Sequence, residues 1–213
     1  MTMDQDIAFI VDDDERVREA LSELLSSHGI STFAFKSAGE YIGADRPDVP
    51  SCLILDVELP DINGLELQRQ IAAGDHPPIV FITGHGNIPA SVSAIKRGAV
   101  DFLTKPISGA DLIAAVHAAI ALDRTKRSER SESDLLKRRY ADLTPRERDV
   151  FPLVVSGLLN KQSAAELGIS EVTFQMHRRS VMQKMAAASL ADLVRIAEKL
   201  EVPVTHSRRV GKT

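Results

Sequence analysis

The sequence has a single cysteine, Cys52, in 213 residues. One thiol cannot close an internal disulfide, and it cannot supply the thiolates of a Cys-rich zinc site. The six histidines show none of the short spacings that metal ligands adopt. These scarcities rule out an internal disulfide and a Cys-rich zinc site, and we expect a cytoplasmic protein with a reduced thiol.

Long hydrophobic runs are also missing. Residues 112–122 form the longest nearly apolar run, which has eleven residues and is interrupted by His117. Because a membrane-spanning helix needs about 20 apolar residues, we expect no membrane span. Asp4 and Asp6 stand where a signal peptide would carry basic residues, so we expect no signal peptide.

The formal net charge of −4 conceals two halves of opposite sign. Residues 1–122 contain 8 Lys and Arg against 18 Asp and Glu, a net charge of −10. Residues 123–213 contain 18 against 12, a net charge of +6. This asymmetry indicates two domains with different partners, and the basic one is suited to binding nucleic acid.

The first half alternates short apolar runs with amphipathic segments, which predicts strands alternating with helices. We expect strands at residues 7–11, 31–35, 52–55, 79–82 and 101–103. We expect helices at residues 15–27, 38–42, 64–73, 88–97 and 111–122. This alternation is typical of an α/β domain, a doubly wound parallel sheet of five strands covered by helices on both faces.

A charged stretch, residues 123–142, follows, with 12 charged side chains in 20 residues. It is compatible with a disordered linker or with a solvated helix. Gly and Pro are absent between Gly109 and Pro145, so we favour a helical linker.

The remainder of the chain carries the signals of four short helices. Thr144, Pro145 and Glu147 form a capping box with proline in the first helical position. Asn160 and Ser170 are candidate caps of two further helices, and residues 189–200 predict a fourth. We therefore expect a small all-α domain over residues 143–213, ending in a basic tail.

Polar side chains stand where the strands of the first half end. Asp12 and Asp13 follow the first strand, Asp56 the third and Thr83 the fourth, and Lys105 comes after the fifth. In an open parallel sheet the carboxyl ends of the strands line one crevice, so these groups are expected to converge. Packed carboxylates require a cation, and all-oxygen ligation favours Mg²⁺. A carboxylate beside Mg²⁺, a lysine and a hydroxyl is a plausible nucleophile toward a phosphoryl group.

This pattern resembles the receiver domain of two-component response regulators, a CheY-like fold, over residues 5–122. The motifs are, in chain order, Asp12-Asp13, Asp56 followed by Pro60 and Gly64, Thr83-Gly84, and residues 101–106 (Asp-Phe-Leu-Thr-Lys-Pro). The resemblance implies that Asp56 accepts a phosphoryl group from a sensor histidine kinase.

The same resemblance implies roles for the surrounding residues. Asp12, Asp13 and Asp56 would bind Mg²⁺ together with the backbone carbonyl of Val57. Thr83 and Lys105 would contact the phosphoryl oxygens. Phe102 matches the aromatic switch residue, and Pro106 would follow a cis peptide bond.

The second half resembles the LuxR-type helix-turn-helix of the NarL/FixJ family, and the Thr83-Gly84-His85-Gly86 loop indicates the FixJ-like branch. The resemblance rests on residues 143–148 (Leu-Thr-Pro-Arg-Glu-Arg), Gly157, Asn160-Lys161, residues 165–170 (Ala-Glu-Leu-Gly-Ile-Ser), Thr173 and His177-Arg178-Arg179. The resemblance implies binding of double-stranded DNA and a homodimer that forms on phosphorylation through residues 88–102, whose helix is expected to expose Ala90, Ala94 and Arg97.

A helical wheel of residues 170–185 separates a core face from an exposed face. Phe174, Val181 and Met185 share the core face, whereas Gln175, Met176 and Arg179 lie opposite with groups suited to base edges in a major groove. The candidate phosphate contacts flank this face or begin the preceding helix: Lys161, Thr173, His177 and Lys184. Arg178 points nearer the core on this wheel, so we expect it to form a structural ion pair.

Two other functions are compatible with parts of the sequence. An aspartate-based phosphatase would also use an acidic crevice and Mg²⁺, but its Asp-x-Asp spacing is absent at Asp56, where Glu58 stands two residues on. A phosphorylation-independent interaction protein would not require the intact acidic cluster, Thr83 and Lys105. We therefore expect a transcriptional response regulator rather than an enzyme.

Overall fold

The computed structural model describes residues 6–72, 74–84 and 88–203. Within these ranges, no helix is long and apolar enough to cross a lipid bilayer. His85 and Gly86 of the expected loop, and the basic tail after residue 203, lie outside the described residues.

The first half is a five-stranded parallel sheet with the strand order β2-β1-β3-β4-β5, which confirms the predicted fold class. The elements run in chain order: β1 (Ile7–Val11), α1 (Glu15–Ser27), β2 (Ser31–Phe35), α2 (Ala38–Gly43), β3 (Ser51–Asp56), α3 (Gly64–Ile71), β4 (Ile79–Thr83), α4 (Ile88–Lys96), β5 (Asp101–Thr104) and α5 (Gly109–Ala141).

The sheet is covered on both faces, since its central strands β1, β3 and β4 are mostly apolar and are buried at every position. Alternate residues of β1 point to opposite sides: Ala8 and Ile10 belong to one core cluster, and Phe9 and Val11 to the other. Leucines of α1 and apolar residues of the first turns of α5 fill the first cluster, whereas Tyr41 and residues of α3 and α4 fill the second. Because both faces of the sheet are covered, a ligand can approach it at the ends of the strands.

The exposed surface of α4 and of the residue after it agrees with the prediction at Arg97 but not at Ala94. Ala94 is fully buried in the core beneath α4, so the expectation that it is exposed was wrong. Among the α4 side chains that the structure describes, the large apolar ones that are exposed are Val92 and Ile95, at 47% and 44%. The side chain of Ala90 lies outside the described part of the chain, and Arg97 is exposed just after α4.

The chain divides into two compact units, one ending at Ser128 and one beginning at Glu129, and α5 runs through this division. The second unit therefore includes residues that the sequence assigned to the linker. The Tyr140 ring lies 5.9 Å from the ring of Phe151, and Lys199 pairs with Glu132 at 2.7 Å. The boundary expected at residue 143 remains a prediction, and these contacts favour an earlier one.

Up to residue 203, the second unit contains four more helices around its own core: α6 (Pro145–Val155), α7 (Asn160–Leu167), α8 (Glu171–Lys184) and α9 (Leu190–Lys199). The Thr144 hydroxyl and the Glu147 carboxylate form the predicted capping box at α6. Asn160, however, does not cap α7. Leu159 takes the cap position, with its N–H donating to Gln162 Oε1 at 3.0 Å, while the Asn160 side chain accepts a bond from Arg178.

Candidate functional site

The site lies at the carboxyl ends of β1 and β3, the neighbouring strands at which the strand order reverses. Asp12 follows β1 directly, and Asp56 is the last residue of β3. The Nζ atom of Lys105, just beyond β5, donates to Asp56 Oδ2 at 2.6 Å and to Asp12 Oδ2 at 2.7 Å. Three residues far apart in sequence thus meet in the crevice where parallel sheets bind ligands.

Both buried carboxylates are oriented by more than the lysine. Asp12 Oδ1 accepts the Asp14 N–H at 2.9 Å, and Asp56 Oδ1 accepts the Glu58 N–H at 3.0 Å. Burial raises the pKa of Asp12 above its ordinary value, although the Lys105 and Asp14 bonds act against this rise. Burial alone would lower the pKa of Lys105, but its bonds to Asp12 and Asp56 outweigh that effect and the pKa is raised.

Asp13 completes the acidic cluster from an exposed position. One carboxylate oxygen from each of Asp12, Asp13 and Asp56 can be chosen so that all three lie within 4.8 Å of one another. In the described part of the chain these three carboxylates face the ammonium of Lys105, and the Arg18 guanidinium bonds the backbone beside them, so three negative groups meet two positive ones. The donor set is entirely oxygen, which is the ligand type that Mg²⁺ requires. The residues present therefore fit a hard divalent cation.

The other residues expected near the phosphoryl group lie along the same edge of the sheet. Thr83 is buried at the end of β4, and its carbonyl accepts the Lys105 N–H at 2.8 Å. Phe102 of β5 is half-buried, with its ring centroid 5.9 Å from that of Phe81. The peptide bond Lys105-Pro106 is cis.

The carbonyl of Val57, which is expected to be a fourth ligand of the ion, has a partner within the protein. Its oxygen accepts the Gly64 N–H at 2.9 Å, which ties the end of β3 to the start of α3. A Cβ atom at Gly64 would lie 2.3 Å from the carbonyl oxygen of Asp56. The missing side chain of Gly64 thus permits this close approach. A carbonyl oxygen has two lone pairs, so the bond from Gly64 leaves one of them for a cation, and Val57 as a ligand stays a prediction.

Arg18 was not singled out by the sequence reasoning, yet it contacts the acidic loop directly. One of its guanidinium nitrogens donates to the carbonyl oxygens of Asp12 and Asp13, at 2.8 and 2.9 Å. The only available signal in the sequence was its position one helical turn after Asp14, which caps α1. That spacing does not indicate that the Arg18 side chain bonds the backbone of the loop before α1.

The predicted division of α8 into two faces is confirmed. Phe174, Val181 and Met185 are buried, whereas the opposite face is exposed: Val172, Gln175, Met176, Arg179 and Gln183. Val172 and Met176 expose 70% and 65% of their surface, which is high for apolar side chains on a folded unit. An exposed face combining an amide, a thioether and a guanidinium suits the major groove of DNA.

The expected phosphate contacts differ in how accessible they are. Lys161 is exposed in the first turn of α7, and Thr173 and His177 are half-buried on α8. The Nζ atom of Lys184 donates to Glu147 Oε2 at 2.7 Å, so a phosphate would compete with this ion pair, and the assignment of Lys184 to phosphate stays a prediction. Among the described residues, no ion pair of the predicted kind is recorded for Arg178, and its guanidinium donates instead to the neutral Asn160 Oδ1 at 2.7 Å.

Comparisons with known proteins match each half of the chain to a known domain family. Residues 8–117 match the response regulator receiver domain family, and residues 141–197 match the family of bacterial regulatory proteins of the luxR type. Nodulation protein W of Bradyrhizobium diazoefficiens is 47% identical over 204 residues, which cover 95% of this chain and 90% of that protein.

Two further relatives point to the same group. The transcriptional regulatory protein FixJ of Azorhizobium caulinodans is 42% identical and is matched over 90% of its length by 88% of this chain. The solved structure of response regulator StyR has 44% identity and a TM-score of 0.83, with 92% of this chain and 99% of StyR covered. The chain therefore belongs to the NarL/FixJ-type response regulators, which combine a receiver domain with a luxR-type DNA-binding domain.

Proposed function

We propose that this response regulator is switched by transfer of a phosphoryl group to Asp56 from a sensor histidine kinase. The observation that carries the proposal is the contact of one lysine, Lys105, with two buried carboxylates, Asp12 and Asp56, at 2.7 and 2.6 Å. A buried carboxylate without such a partner would be costly. A lysine that reaches the acceptor is also placed to meet the charge of an arriving phosphoryl group.

The transfer needs little covalent chemistry from the protein beyond a nucleophile. An oxygen of Asp56 attacks phosphorus, a P–O bond forms, and the P–N bond to the kinase histidine breaks, with the electron pair going to the imidazole nitrogen, which takes a proton from water. The Glu58 N–H holds one Asp56 oxygen at 3.0 Å and so orients the nucleophile. Lys105 and Thr83 contact the phosphoryl oxygens, and positioning with charge compensation supplies most of the catalysis in such transfers.

Mg²⁺, held by Asp12, Asp13 and Asp56, would neutralise charge on the phosphoryl oxygens when bound. The proposal for this ion rests on the all-oxygen cluster and its excess negative charge. Addition of a phosphoryl group changes the partners of Thr83 and Lys105. Phe102, next to these residues on β5, would relay the change to α4.

The experiment is phosphorylation of the full-length protein by acetyl phosphate, followed by intact-mass spectrometry. One added phosphoryl group is expected with Mg²⁺, and none after chelation of divalent ions. Asp56→Ala should abolish the addition, whereas Asp45→Ala, which removes an exposed carboxylate elsewhere in the same domain, should leave it unchanged.

Labelling that persists in Asp56→Ala would contradict the proposed acceptor. Continuing release of phosphate from a phosphate ester, without labelled protein accumulating, would favour the aspartate-based phosphatase instead. Intact labelling with no change in DNA affinity would favour an interaction protein that does not respond to phosphorylation.

The phosphorylated form is proposed to dimerise through α4 and β5. The support is the pair of exposed apolar side chains on α4, Val92 and Ile95. Sedimentation should show more dimer after phosphorylation at micromolar concentration, and Ile95→Glu should prevent it. Ile42→Glu, a matched charge on the exposed apolar residue of α2, should not. A protein that is monomeric in both states would contradict this mechanism.

The second unit is proposed to bind double-stranded DNA through α8, in the cytoplasm, where a bacterial regulator meets its DNA. Gln175, Met176 and Arg179 on the exposed face would contact bases. The flanking phosphate contacts are reduced to Lys161, Thr173 and His177, because Lys184 is engaged by Glu147. Phosphate contacts orient the protein on the duplex and base contacts determine which sequence is bound.

A further inference from the structure

We propose that Arg18 is a positioning residue for the divalent-cation site, holding the acidic loop after β1 in the geometry that binds the ion. This inference rests on the proposed function, because it concerns the same cluster of carboxylates. One guanidinium nitrogen of Arg18 donates to the carbonyl oxygens of two consecutive residues, Asp12 at 2.8 Å and Asp13 at 2.9 Å.

The loop has separate constraints on its side chains and on its backbone. The Asp12 carboxylate is fixed by Lys105 and by the Asp14 N–H, at 2.7 and 2.9 Å. Among the described residues, no hydrogen bond is recorded to the carboxylate of Asp13. The direction of the Asp13 side chain therefore depends on its backbone, and Arg18 is the group that bonds this backbone on its carbonyl side.

The type of side chain is suited to this task. A guanidinium group is planar and always charged, so its N–H groups point in fixed directions and less side-chain entropy is lost per hydrogen bond than with a lysine. Arg18 is half-buried on α1, whose start is itself fixed by the Asp14 cap. The arginine thus links the acidic loop to a helix that is packed on the sheet.

Charge and geometry predict opposite effects when Arg18 is replaced. A positive charge near a cation site repels the cation, so removing it would strengthen Mg²⁺ binding if Arg18 acted only through its charge. If Arg18 positions the loop, removing it weakens Mg²⁺ binding despite the lower repulsion. The sign of the change in affinity therefore distinguishes the two roles.

The experiment is calorimetric titration of Mg²⁺ into the full-length unphosphorylated protein. We expect Arg18→Gln to weaken binding by about tenfold, the size typical for residues that orient metal ligands. Arg18→Lys keeps the charge but loses the planar group, and is expected to weaken binding by a few-fold. Arg16→Gln removes an equal charge from the exposed side of α1 and should change the affinity less than twofold. Saturating Mg²⁺ should restore labelling of Asp56 in both Arg18 variants.

Thermal unfolding without Mg²⁺ shows whether each variant is folded. If Arg18→Gln does not fold, Arg18→Lys decides, because a purely electrostatic role predicts no change for it. Arg18 variants that bind Mg²⁺ as tightly as the unmodified protein, or more tightly, would overturn the inference. Failure of the unmodified protein itself to bind Mg²⁺ would instead contradict the proposed function.

Discussion

The ammonium of Lys184, in the last turn of α8, lies 2.7 Å from the carboxylate of Glu147 in the first turn of α6. Lys184 Nζ also donates to the carbonyl of Asp142 at 3.2 Å. The same Glu147 oxygen accepts the Thr144 N–H at 2.8 Å. A residue that the sequence assigned to DNA phosphates therefore connects two helices of its own domain.

Lys184 and Lys161 should have separable roles. Lys184→Met should lower the free energy of unfolding of residues 129–213 by about 1–2 kcal/mol. This is less than a fully buried charged hydrogen bond would contribute, because the lysine is partly exposed to solvent. Lys161→Ala should instead leave stability unchanged, weaken binding to all DNA sequences, and reduce the slope of affinity against salt by about one unit. Chemical denaturation and DNA titration at several salt concentrations measure both. A fall in salt slope for Lys184→Met equal to that for Lys161→Ala would show that Lys184 contacts phosphate.

The Glu147 contact should also appear in the pH dependence of stability. The bond from Lys184 lowers the pKa of Glu147 below its ordinary value, despite the opposing effect of burial. A lowered folded-state pKa stabilises the folded form above the unfolded pKa of about 4.3, and this contribution is lost as the pH falls through the folded pKa. The stability gap between the unmodified unit and Glu147→Gln should thus be constant near neutrality and close in acid. A gap that widens in acid would contradict this assignment.

Arg179 should discriminate between DNA sequences. Arg179→Ala should weaken binding to a duplex selected from a random library by about 1–3 kcal/mol, the value of a good contact to a base edge. The affinity of Arg179→Ala for random duplexes should fall only by the contribution of one positive charge. Lys161→Ala serves as the control that weakens both kinds of duplex alike. Equal losses on both duplexes for Arg179→Ala would mean that α8 enters the groove in another rotation.

Gly64 should be required behind the phosphorylation site. A methyl group there would lie 2.3 Å from the Asp56 carbonyl oxygen, so backbone must shift. We expect Gly64→Ala to cost about 1–3 kcal/mol in receiver stability and to slow labelling of Asp56. Gly43→Ala is the matched control, since a Cβ at Gly43 meets no atom within 4 Å. Wild-type stability and labelling in Gly64→Ala would contradict the prediction.

Ser163 should be a stabilising target in the second unit. It is fully buried in α7, and its hydroxyl has no hydrogen-bond partner among the described residues. Ser163→Ala removes an unpaired buried polar group and should raise the free energy of unfolding by about 1 kcal/mol. Ser156→Ala should have the opposite sign, because that hydroxyl donates to Leu153 O at 2.8 Å. A loss of stability in Ser163→Ala would indicate that its hydroxyl has a partner.

Much of the fold could be predicted from local pattern alone. The bounds of β1, β2 and α1 agree with the sequence expectation, because short apolar runs mark the strands and amphipathic spacing marks the helix. The two faces of α8 follow from the helical period. The convergence of Asp12, Asp56 and Lys105 follows from one rule of parallel sheets, namely that the strand ends share an edge.

Only the tertiary structure decided which partner each polar group takes. A helical wheel of α8 shows Lys184 on an exposed face, because the wheel does not include α6. In the folded unit, Lys184 donates to the carboxylate of Glu147 on α6. Ala94 looks exposed for the same reason, although the sheet lies beneath it. Arg18 bonds carbonyl oxygens, which every residue has, so no side-chain pattern marks its target. Periodicity determines which face of an element is apolar, whereas contacts between distant elements depend on packing, and packing exists only once the chain has folded.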